Sequence, residues 1–489
     1  MKFLIQFFIC GVITSLLFPP FFFTLIGFIV FPYLFYLTTH KKYILCGYKF
    51  HFLSGFIYGI GFLSVYLSWI DKPFLLSEET RIYSFFSYFL ILYCSIYFGL
   101  IFLILKFFKE KFTKLLIIPS LFVLGEYLCA NFIYGFPWLS FALVNSSNIV
   151  GTSLIFYFGT YGLSFLTILF FLFPSFFLIN NFKKIKYYLV AYLFVSLLLM
   201  ILIFIRIDNN EYEKISLNLT LVQMNFSMNE NLKTKDLNEK YNAILNNIKN
   251  SDSDLIIFAE NNYPYLMTNN HIVMLQNQLN KNNSLIIGSA RKENNNYFNT
   301  FFLIKKNSYS KFDKKILVPF GEFIPFRFMF NFMEFIAGTA DYSKGSDNRR
   351  IVFNNEIKIL PIICYEIVYF WKLLNKNNID TNLIINLTND SWFGDFSGPY
   401  QHFYFSKLRA AEFNKPLIRV SNNGISTFID NYGNLIYVSM LNKKEIKKIE
   451  IDIPLKNYNL LIFHKVFNFF ILLNIFICFI LNRKKHESI

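Results

Sequence analysis

Apolar runs long enough to cross a lipid bilayer occupy most of the first 206 residues of this chain and its C-terminal end. A hydrocarbon core about 30 Å thick requires about 20 apolar residues per helix, and irregular lipid-exposed backbone is excluded there. Eight runs approach or exceed this length: 3–18, 21–39, 51–70, 83–106, 115–133, 149–179, 187–206 and 460–481. The sequence therefore predicts a membrane α-helical bundle of eight transmembrane helices.

The distribution of polar residues along the chain predicts its domains. Hydrophobic residues make up 54% of the 489 residues and charged residues only 16%, which is typical of a membrane protein. Residues 1–206 form the predicted bundle of seven helices, residues 207–458 are rich in Asn, Lys, Asp and Glu, and residues 459–489 form the last helix and a basic tail. Pro19 and Pro20 separate the first two runs, which predicts a tight helical hairpin there.

Lysine and arginine are concentrated in alternate short loops, and cytoplasmic loops carry an excess of these residues. The basic loops fall on one side of the eight-helix scheme and contain Lys2; Lys41, Lys42 and Lys49; Lys106, Lys109, Lys111 and Lys114; Lys183, Lys184 and Lys186; and Arg483, Lys484 and Lys485. Both termini are then cytoplasmic, and the polar domain lies on the periplasmic face of a bacterial inner membrane. These loops account for much of the net charge of +16, so we expect no nucleic-acid partner.

Short apolar runs recur through the polar domain: LTLVQMNF, DLIIFAE, SLIIGSA, NTFFLI, IKILPIICYE, NLIINLTND and LIRVSNN. Such runs are typical of strands buried on both faces, and the stretch LNEKYNAILNNIKN between two of them has a helical pattern. The domain is therefore predicted to be a layered α/β structure. Three runs end on reactive side chains, at Glu260, at Cys364 and at Asn389 followed by Asp390, and ligand sites of α/β sheets lie at the carboxyl ends of strands.

A carboxylate, a lysine and a thiol form a chemically sensible set in this domain. The carboxylate takes the thiol proton, the thiolate attacks a carbonyl group, and the ammonium stabilises the oxyanion. Each residue also has a simpler interpretation, since a lone cysteine is often a small buried hydrophobe and most glutamates and lysines are solvent-exposed. The block KFDKKILVPFGEFIP leaves Lys311, Lys314 and Lys315 as equal candidates, and His402 offers a Cys/His alternative. Clustered His and Cys ligands are absent from the sequence, so we expect no metal and no cofactor.

These segments resemble the nitrilase superfamily and, more narrowly, the apolipoprotein N-acyltransferase family. The motifs that carry the resemblance are FAENNYP, KKILVPFGEFIP, ICYE, NLTNDSWFGDFSGPYQH and RAAEFNKPLIRVSNNG in the polar domain, and LFPPF, GFIYGIGFLSVYLSW, GEYLCANFIYGFPWL and GTYGLSF in the apolar region. The resemblance implies that the polar domain is a nitrilase-like catalytic domain with a four-layer αββα sandwich. Nitrilases without a membrane domain are soluble proteins. The eight predicted helices therefore restrict the resemblance to the membrane-bound apolipoprotein N-acyltransferase family.

The resemblance also implies roles for individual residues. Glu260 falls on the general base, Cys364 on the nucleophile, and Lys314 on the catalytic lysine, which lies eight residues before the glutamate of the PFGE turn. The residues that match further supporting positions of the site are Glu322, Glu366 and Tyr365.

Substrate contacts are less closely defined by the sequence. The candidates are Trp392, Asn389, Trp138 and Glu126. Glu126 is an acidic residue within an apolar run, and we interpret it as structural or as lining a lipid pocket. Met224 and Leu232 depart from a glycine and a tryptophan that are usual in the family, which leaves the contacts of their loop open. The segment FGEFIPFRFMFNFMEF is predicted to be either a loop that enters the membrane interface or a buried helix.

The activity that the resemblance implies is N-acyl transfer in two steps through a thioester on Cys364. The expected donor is a phospholipid, specifically the sn-1 chain of phosphatidylethanolamine, and the expected acceptor is the α-amine of the N-terminal S-diacylglyceryl cysteine of an apolipoprotein. We expect a monomer that completes lipoprotein maturation. The alternative is a membrane-anchored nitrilase-type amidase that hydrolyses a small C–N bond and has no need for eight helices. A transporter or receptor would carry several charged residues in its spans, where this chain has only Glu126.

Overall fold

The computed structural model of the chain describes residues 1–76, 78–179, 182–208, 213–227, 234–330, 333–334, 340–455 and 458–487. The chain divides into two compact units. The helical unit comprises Met1–Asp71, Phe85–Asn210 and Asn459–Ile489. The catalytic unit, as we call the second one, comprises Lys72–Ser84 and Glu211–Tyr458. The short segment Lys72–Ser84 thus belongs with the polar domain, although it lies between two apolar runs of the sequence.

The described residues contain the following α-helices in chain order: α1 (Lys2–Ser15), α2 (Gly27–Thr39), α3 (Lys41–Ile44), α4 (Tyr48–Tyr66), α5 (Glu78–Arg81), α6 (Ser87–Leu105), α7 (Lys111–Asn131), α8 (Ile149–Phe171), α9 (Phe182–Asp208), α10 (Thr234–Lys249), α11 (Asn269–Gln278), α12 (Phe370–Leu373), α13 (Ser397–Phe413) and α14 (Leu461–Glu487). Helices α1–α4, α6–α9 and α14 form the helical unit.

Five segments of the described residues are long and apolar enough to cross a membrane: Ser84–Leu105, Lys111–Asn131, Ile149–Phe171, Leu189–Arg206 and Leu461–Arg483. Two shorter apolar helices, Lys2–Ser15 and Thr24–Thr39, correspond to the first two runs of the sequence. The third run corresponds to α4, whose polar N-terminal residues YKFH lower its hydropathy. Membrane-spanning length is therefore established for five segments rather than for the eight that were predicted.

Helix α4 is the main packing partner of α1 and of α6. Its contacts with both neighbours depend on glycine, because a Cβ atom at Gly11 would lie 2.1 Å from the carbonyl oxygen of Tyr58, and one at Gly55 would lie 2.3 Å from that of Phe98. Helix α1 contacts α2, as the predicted hairpin requires. It packs more extensively on α4 than on α2. Small residues let helix backbones approach closely in an apolar medium, where no hydrophobic force drives association.

The run 149–179 was predicted as one continuous helix, and this prediction was wrong. Helix α8 ends at Phe171 and is followed by a 3-10 turn, Phe173–Leu178, because Pro174 cannot continue the hydrogen-bond ladder. Helix α8 is also interrupted at Gly159, whose φ of 70° lies in the left-handed region. Nε2 of His464 on α14 lies 2.8 Å from the Phe156 carbonyl oxygen beside this interruption.

The catalytic unit contains two six-stranded sheets among its described residues. The strands are β1 (Lys214–Gln223), β2 (Leu255–Phe258), β3 (Ser284–Glu293), β4 (Asn296–Lys305), β5 (Ser308–Asp313), β6 (Ile351–Val352), β7 (Lys358–Ile363), β8 (Leu383–Thr388), β9 (Leu417–Ser421), β10 (Thr427–Ile429), β11 (Leu435–Val438) and β12 (Glu445–Pro454). The strand orders are β12-β1-β2-β3-β4-β5 and β11-β10-β9-β8-β7-β6. Strands β1, β2 and β3 are parallel to one another, and so are β7, β8 and β9.

The two sheets contact each other through β1 and β2 against β9 and through β4 against β7. Every residue of β2, β8 and β9 is buried, which confirms the prediction of buried strands in a layered α/β domain. Side chains of α10 and α11, including Ile244 and Leu275, pack in one hydrophobic cluster with Phe258 of β2 and Ile287 of β3. The sheets are thereby rigid supports for the residues at their carboxyl ends.

Candidate active site

Four strands of the catalytic unit deliver polar residues at their carboxyl ends. Glu260 follows β2, Lys314 follows β5, Cys364 follows β7, and Asn389 follows β8. The Glu260, Lys314 and Cys364 side chains are buried and interact with one another, as the family resemblance implies. Parallel neighbours such as β7 and β8 end at the same sheet edge, which is why residues from distant parts of the sequence meet at this edge.

The carboxylate of Glu260 is held by both of its oxygens. Oε1 accepts a hydrogen bond from Nδ2 of Asn299 at 2.8 Å and lies 3.6 Å from Nζ of Lys314. Oε2 accepts a hydrogen bond from the backbone N–H of Asn389 at 2.9 Å. The Cys364 thiol lies close enough to interact electrostatically with this carboxylate. The arrangement places an acceptor for the thiol proton in a fixed orientation, as general-base catalysis requires.

Cys364 occupies a sharp turn between β7 and the 3-10 turn Cys364–Val368. Its φ of 50° lies in the left-handed region, where a side chain with a Cβ atom is strained by about 1–3 kcal/mol. Such a conformation persists only where neighbouring groups hold it. The turn begins at this residue, so Cys364 stands directly at the carboxyl end of β7.

Electrostatics keep the thiol and the ammonium protonated. Burial raises the pKa of Cys364 and so does the charge of Glu260, and these effects outweigh the opposing influence of Lys314. Burial alone would lower the pKa of Lys314, but the carboxylates of Glu322 and Glu260 raise it above its ordinary value. Burial also raises the pKa of Glu260, as does Glu322, against the opposing charge of Lys314. If it acts as a nucleophile, Cys364 therefore needs a base at the moment of attack, because the thiol does not rest as a free thiolate.

Glu322 is the second carboxylate that contacts Lys314. Nζ of Lys314 donates to Oε1 of Glu322 at 2.9 Å, and the backbone N–H of Val318 donates to Oε2 at 2.9 Å. Nδ2 of Asn299 donates to Oε1 of Glu322 at 2.9 Å as well as to Glu260, so this amide bridges the two carboxylates. Sequence reasoning did not single out Asn299, which begins the run NTFFLI on β4 and was assigned only to a strand.

Glu366 is fully buried and acts on the site through the backbone. Its carboxylate pairs with both terminal nitrogens of Arg349 at 2.7 Å and accepts the backbone N–H groups of Lys315, Ile316 and Ile363. Burial alone would raise the pKa of Glu366, but the Arg349 guanidinium lowers it, so the carboxylate stays charged. The pair ties the residues next to Lys314 to the residue before Cys364. Tyr365 is buried in the same turn, with its ring edge-on to Tyr369 at 5.4 Å.

The predicted substrate contacts fall into two groups. Asn389 belongs to the site because its backbone N–H donates a hydrogen bond to Glu260. Trp392 is half-buried in the adjoining 3-10 turn Asp390–Phe393. Trp138 and Glu126 belong to the helical unit. There the Glu126 carboxylate accepts hydrogen bonds from the Phe141 N–H at 2.8 Å and from the Ser164 hydroxyl at 2.9 Å, which fits the structural interpretation.

The loop that departs from the family pattern lies only partly within the described residues. Met224 is buried and belongs to the same hydrophobic cluster as Ile244, whereas Leu232 lies outside the residues that the structure describes. His402, the alternative partner for the thiol, has Nδ1 2.8 Å from Oδ1 of Asp390 and Nε2 3.3 Å from the Cys364 carbonyl oxygen. Both ring nitrogens are thus engaged with groups other than the thiol. The part of the chain that the structure describes contains no group of three or more His, Cys, Asp or Glu side chains that could hold a metal ion.

The phenylalanine-rich segment after Glu322 is a series of turns over residues 321–330, so the buried-helix alternative is wrong for this part. Phe326, Phe328 and Met329 have exposed fractions of 58%, 80% and 62%. Three large apolar side chains therefore lie at the surface of the catalytic unit a few residues beyond Glu322.

The fold and this arrangement of residues define the carbon-nitrogen hydrolase class, and residues 218–458 match the carbon-nitrogen hydrolase family model. Residues 10–173 match the model of the apolipoprotein N-acyltransferase N-terminal domain. The chain belongs to the apolipoprotein N-acyltransferase family. It is 32% identical to the apolipoprotein N-acyltransferase of Rickettsia typhi, over 96% of this chain and 95% of that one. It is 31% identical to the one of Rickettsia prowazekii, over 95% of each chain.

Among solved structures, a CN-hydrolase superfamily protein from Xanthomonas campestris aligns with 49% of this chain and 91% of its own. The sequence identity is 17% and the TM-score 0.35, so the likeness is too distant to carry an argument.

Proposed function

We propose that this protein transfers a fatty acyl chain from a phospholipid to the α-amine of the N-terminal S-diacylglyceryl cysteine of apolipoproteins. The observation that carries the proposal is the buried set of Glu260, Lys314 and Cys364 in a chain of this family. Both the helical region and the polar domain match models of this family. The amidase alternative is not favoured, because it gives the helical region no role.

In the first step Glu260 takes the thiol proton while Sγ of Cys364 attacks the ester carbonyl carbon of the phospholipid. The Lys314 ammonium stabilises the oxyanion that develops. Collapse of the tetrahedral intermediate breaks the ester C–O bond, and the leaving glycerol oxygen takes the proton from Glu260. The products are a thioester on Cys364 and a lysophospholipid, with the sn-1 chain of phosphatidylethanolamine as the proposed donor.

In the second step the free α-amine of the acceptor cysteine attacks the thioester carbonyl carbon. Glu260 takes a proton from the amine, the C–S bond breaks, and the Cys364 thiolate is reprotonated. The product is an amide, so the sequence of steps is covalent catalysis with an acyl-enzyme intermediate. Glu322, Asn299 and Glu366 position the reacting groups through their hydrogen bonds to Lys314, to Glu260 and to the backbone around Cys364.

We also propose the membrane arrangement in which such chemistry would operate. Eight helices cross a bacterial inner membrane, seven within residues 1–206 and one within 459–489, and residues 207–458 form a four-layer αββα sandwich on the periplasmic side. The exposed side chains of Phe326, Phe328 and Met329 support contact of the loop after Glu322 with the membrane interface. The proposed enzyme acts as a monomer.

The test is covalent labelling of the full-length protein by a phospholipid with a radioactive acyl chain. We expect a label that hydroxylamine releases, because hydroxylamine cleaves thioesters, and that is absent from Cys364→Ala. The matched control is Cys46→Ala, which removes a thiol of the helical unit and should keep the label. Failure of the wild-type protein to take up label would contradict the proposal.

A further inference from the structure

The strained turn at Cys364 raises the question of which groups hold the nucleophile in place. A conformation at φ 50° in a residue with a Cβ atom requires contacts on both sides of it. On the upstream side the Ile363 N–H donates to Oε2 of Glu366 at 3.0 Å. On the downstream side the Cys364 carbonyl oxygen faces the side chains of His402 and Asn386.

His402 is the closer of these two contacts. Its Nε2 lies 3.3 Å from the Cys364 carbonyl oxygen, compared with 3.5 Å for Nδ2 of Asn386. A carbonyl oxygen only accepts hydrogen bonds, so this contact places a proton on Nε2. The ring lies on α13, has no exposed surface, and packs edge-on against Phe393 with ring centroids 5.3 Å apart.

The other ring nitrogen is anchored by two charged groups. Nδ1 lies 2.8 Å from Oδ1 of Asp390 and 3.1 Å from Nη2 of Arg419, and that same Nη2 donates to Oδ2 of Asp390 at 2.6 Å. A neutral ring accepts from Arg419 at Nδ1, and a charged ring donates to Asp390. Both states keep the proton on Nε2 and therefore the bond to Cys364.

Asp390 and Arg419 are themselves held without exposure to solvent. The Thr388 hydroxyl donates to Oδ1 of Asp390 at 3.1 Å, and Nη1 of Arg419 donates to Oδ1 of Asn386 at 2.8 Å. The two residues come from the 3-10 turn Asp390–Phe393 and from β9, so three separate elements meet at one imidazole. A buried network of this kind is rigid when its members are satisfied.

We propose that His402 is a positioning residue for the nucleophile: anchored by Asp390 and Arg419, it holds the Cys364 carbonyl and thereby sets the direction of the thiol. The Cα atom of Cys364 carries both the carbonyl carbon and Cβ. Ile363 is held in β7 and by its N–H to Glu366, so holding the carbonyl of Cys364 restrains the rotation of its Cα atom and thereby the direction of the Cα–Cβ bond. The inference depends on the proposed function only for the measurement of acyl transfer; the measurement of thiol alkylation is independent of it.

The test compares two variants that each keep one half of the ring's contacts. The side-chain amide of glutamine reaches about as far as Nε2 of histidine, and that of asparagine about as far as Nδ1. His402→Gln retains the donor to Cys364, whereas His402→Asn retains only a group beside Asp390. The measurement is the rate at which iodoacetamide alkylates Cys364, followed by mass spectrometry of the peptide that contains it, in the full-length protein in detergent.

We expect His402→Asn to slow alkylation and acylation by about tenfold or more, since a shift of about 1 Å in a reacting group costs up to about 100-fold. His402→Gln should slow both by only about threefold, because it keeps the donor to Cys364 but loses the anchor to Asp390. Equal losses in the two variants, or no loss in either, would overturn the proposal, because a purely structural role does not distinguish the two amides.

A second variant covers the case in which His402→Asn does not fold. Asp390→Asn keeps the imidazole of His402 and a side chain of the same shape at position 390, but it removes the negative charge that contacts Nδ1. Alkylation in the folded variant should therefore fall by at least about threefold. Wild-type alkylation in folded Asp390→Asn would also overturn the proposal. Alkylation needs neither acyl donor nor acceptor, so an ordered alkylation series without any phospholipid label would refute the proposed function alone.

Discussion

Lys314 differs from the two lysines beside it in the motif by burial and by its partners. Its Nζ lies between Glu322 and Glu260, whereas Lys311 is partly exposed and pairs with Glu293 at 3.4 Å. The backbone N–H of Lys315 donates to Glu366, so this residue contributes to the network through its main chain. Of these three lysines, Lys314 is the one whose ammonium group contacts Glu260, which supports its proposed role in stabilising an oxyanion.

This difference predicts the outcome of alanine substitution at the three lysines. Lys314→Ala should lower thioester formation by about 100-fold or more, since it removes the oxyanion partner and leaves two buried carboxylates without their cation. Lys311→Ala and Lys315→Ala are the matched controls and should keep most of the rate. The measurement is a single-turnover assay of acyl-enzyme formation, and equal losses in all three variants would contradict the assignment of Lys314.

Adjacent arginines offer a comparison of a buried with an exposed ion pair. Arg349 pairs with fully buried Glu366, whereas Arg350 pairs with half-exposed Asp380. Arg349→Ala should destabilise the protein by about 3–5 kcal/mol, because it leaves a buried carboxylate without its cation. Arg350→Ala should cost about 1 kcal/mol or less. Thermal unfolding in detergent measures the difference, and similar melting temperatures for the two variants would argue against the role given to Arg349.

The raised pKa of Glu260 predicts the acid limb of the pH profile. Burial favours the protonated carboxyl, and only the carboxylate can take the thiol proton. Thioester formation should therefore fall as the pH drops through a midpoint above the ordinary glutamate value of about 4.3. The same shift works against stability at high pH, because the folded state holds this proton more tightly than the unfolded chain does. Single-turnover rates between pH 4 and 8 test this, and a midpoint at or below the ordinary value would refute it.

The roles of some residues could be inferred from motifs, and those of others could not. Glu260, Lys314 and Cys364 stand in segments that resemble a known family, and the structure brings the three together. Asn299 and Arg349 carry no such signal, because one is an asparagine in an Asn-rich chain and the other lies in the loop GSDNRR. Their importance depends on which buried carboxylates they meet, and spacing along the chain does not encode that.

At the level of elements, close approach of β3 to the residues after β2 depends on one glycine. A Cβ atom at Gly288 would lie 2.6 Å from Cα of Glu260 and 2.9 Å from the Ala259 carbonyl oxygen. The chain at Glu260, just after β2, thus leaves no room for a side chain at Gly288.

Gly288→Ala should displace Glu260 and lower thioester formation by about tenfold or more, since catalytic groups tolerate little misplacement. Gly321→Ala is the control, because a Cβ atom there meets only Val318 atoms, at 3.4 Å and beyond. Rates from the same single-turnover assay decide the matter, and a wild-type rate in Gly288→Ala would show that the β2 end adjusts without cost.

Elements with a strong local pattern were predicted well, and those shaped by their neighbours were not. Strands such as β2 and β8 are continuous apolar runs, and they are buried as that pattern predicts. The break in α8 at Gly159 was missed because hydropathy is uniform across it, and its φ depends on packing and not on polarity. The assignment of Lys72–Ser84 to the catalytic unit was missed for a related reason, since a short loop carries no pattern that names its partner.

At the scale of the whole molecule, the eight-crossing scheme predicts which positions share a side of the membrane. Glu79 should face the periplasm, and Lys109 and Arg483 should face the cytoplasm; all three are exposed. One cysteine introduced at each of these positions, in a Cys46→Ser, Cys364→Ser background whose four remaining cysteines are buried, can be labelled in intact cells by a membrane-impermeant maleimide. We expect label at Glu79→Cys at once, and at Lys109→Cys and Arg483→Cys only after permeabilisation. Labelling of Arg483→Cys in intact cells would require an odd number of crossings.

The segment Lys72–Ser84 has a consequence for how such a protein can be inherited. The 3-10 turn Lys72–Leu75 contacts the turn Asp390–Phe393, and both belong to the catalytic unit. The unit is therefore encoded by two separated stretches of the gene. A recombination event that transferred codons 211–458 to another membrane anchor would leave part of the unit behind. Selection on the catalytic unit therefore also acts on codons 72–84, which lie among the codons of the helical unit. The two units are expected to be inherited together as one gene.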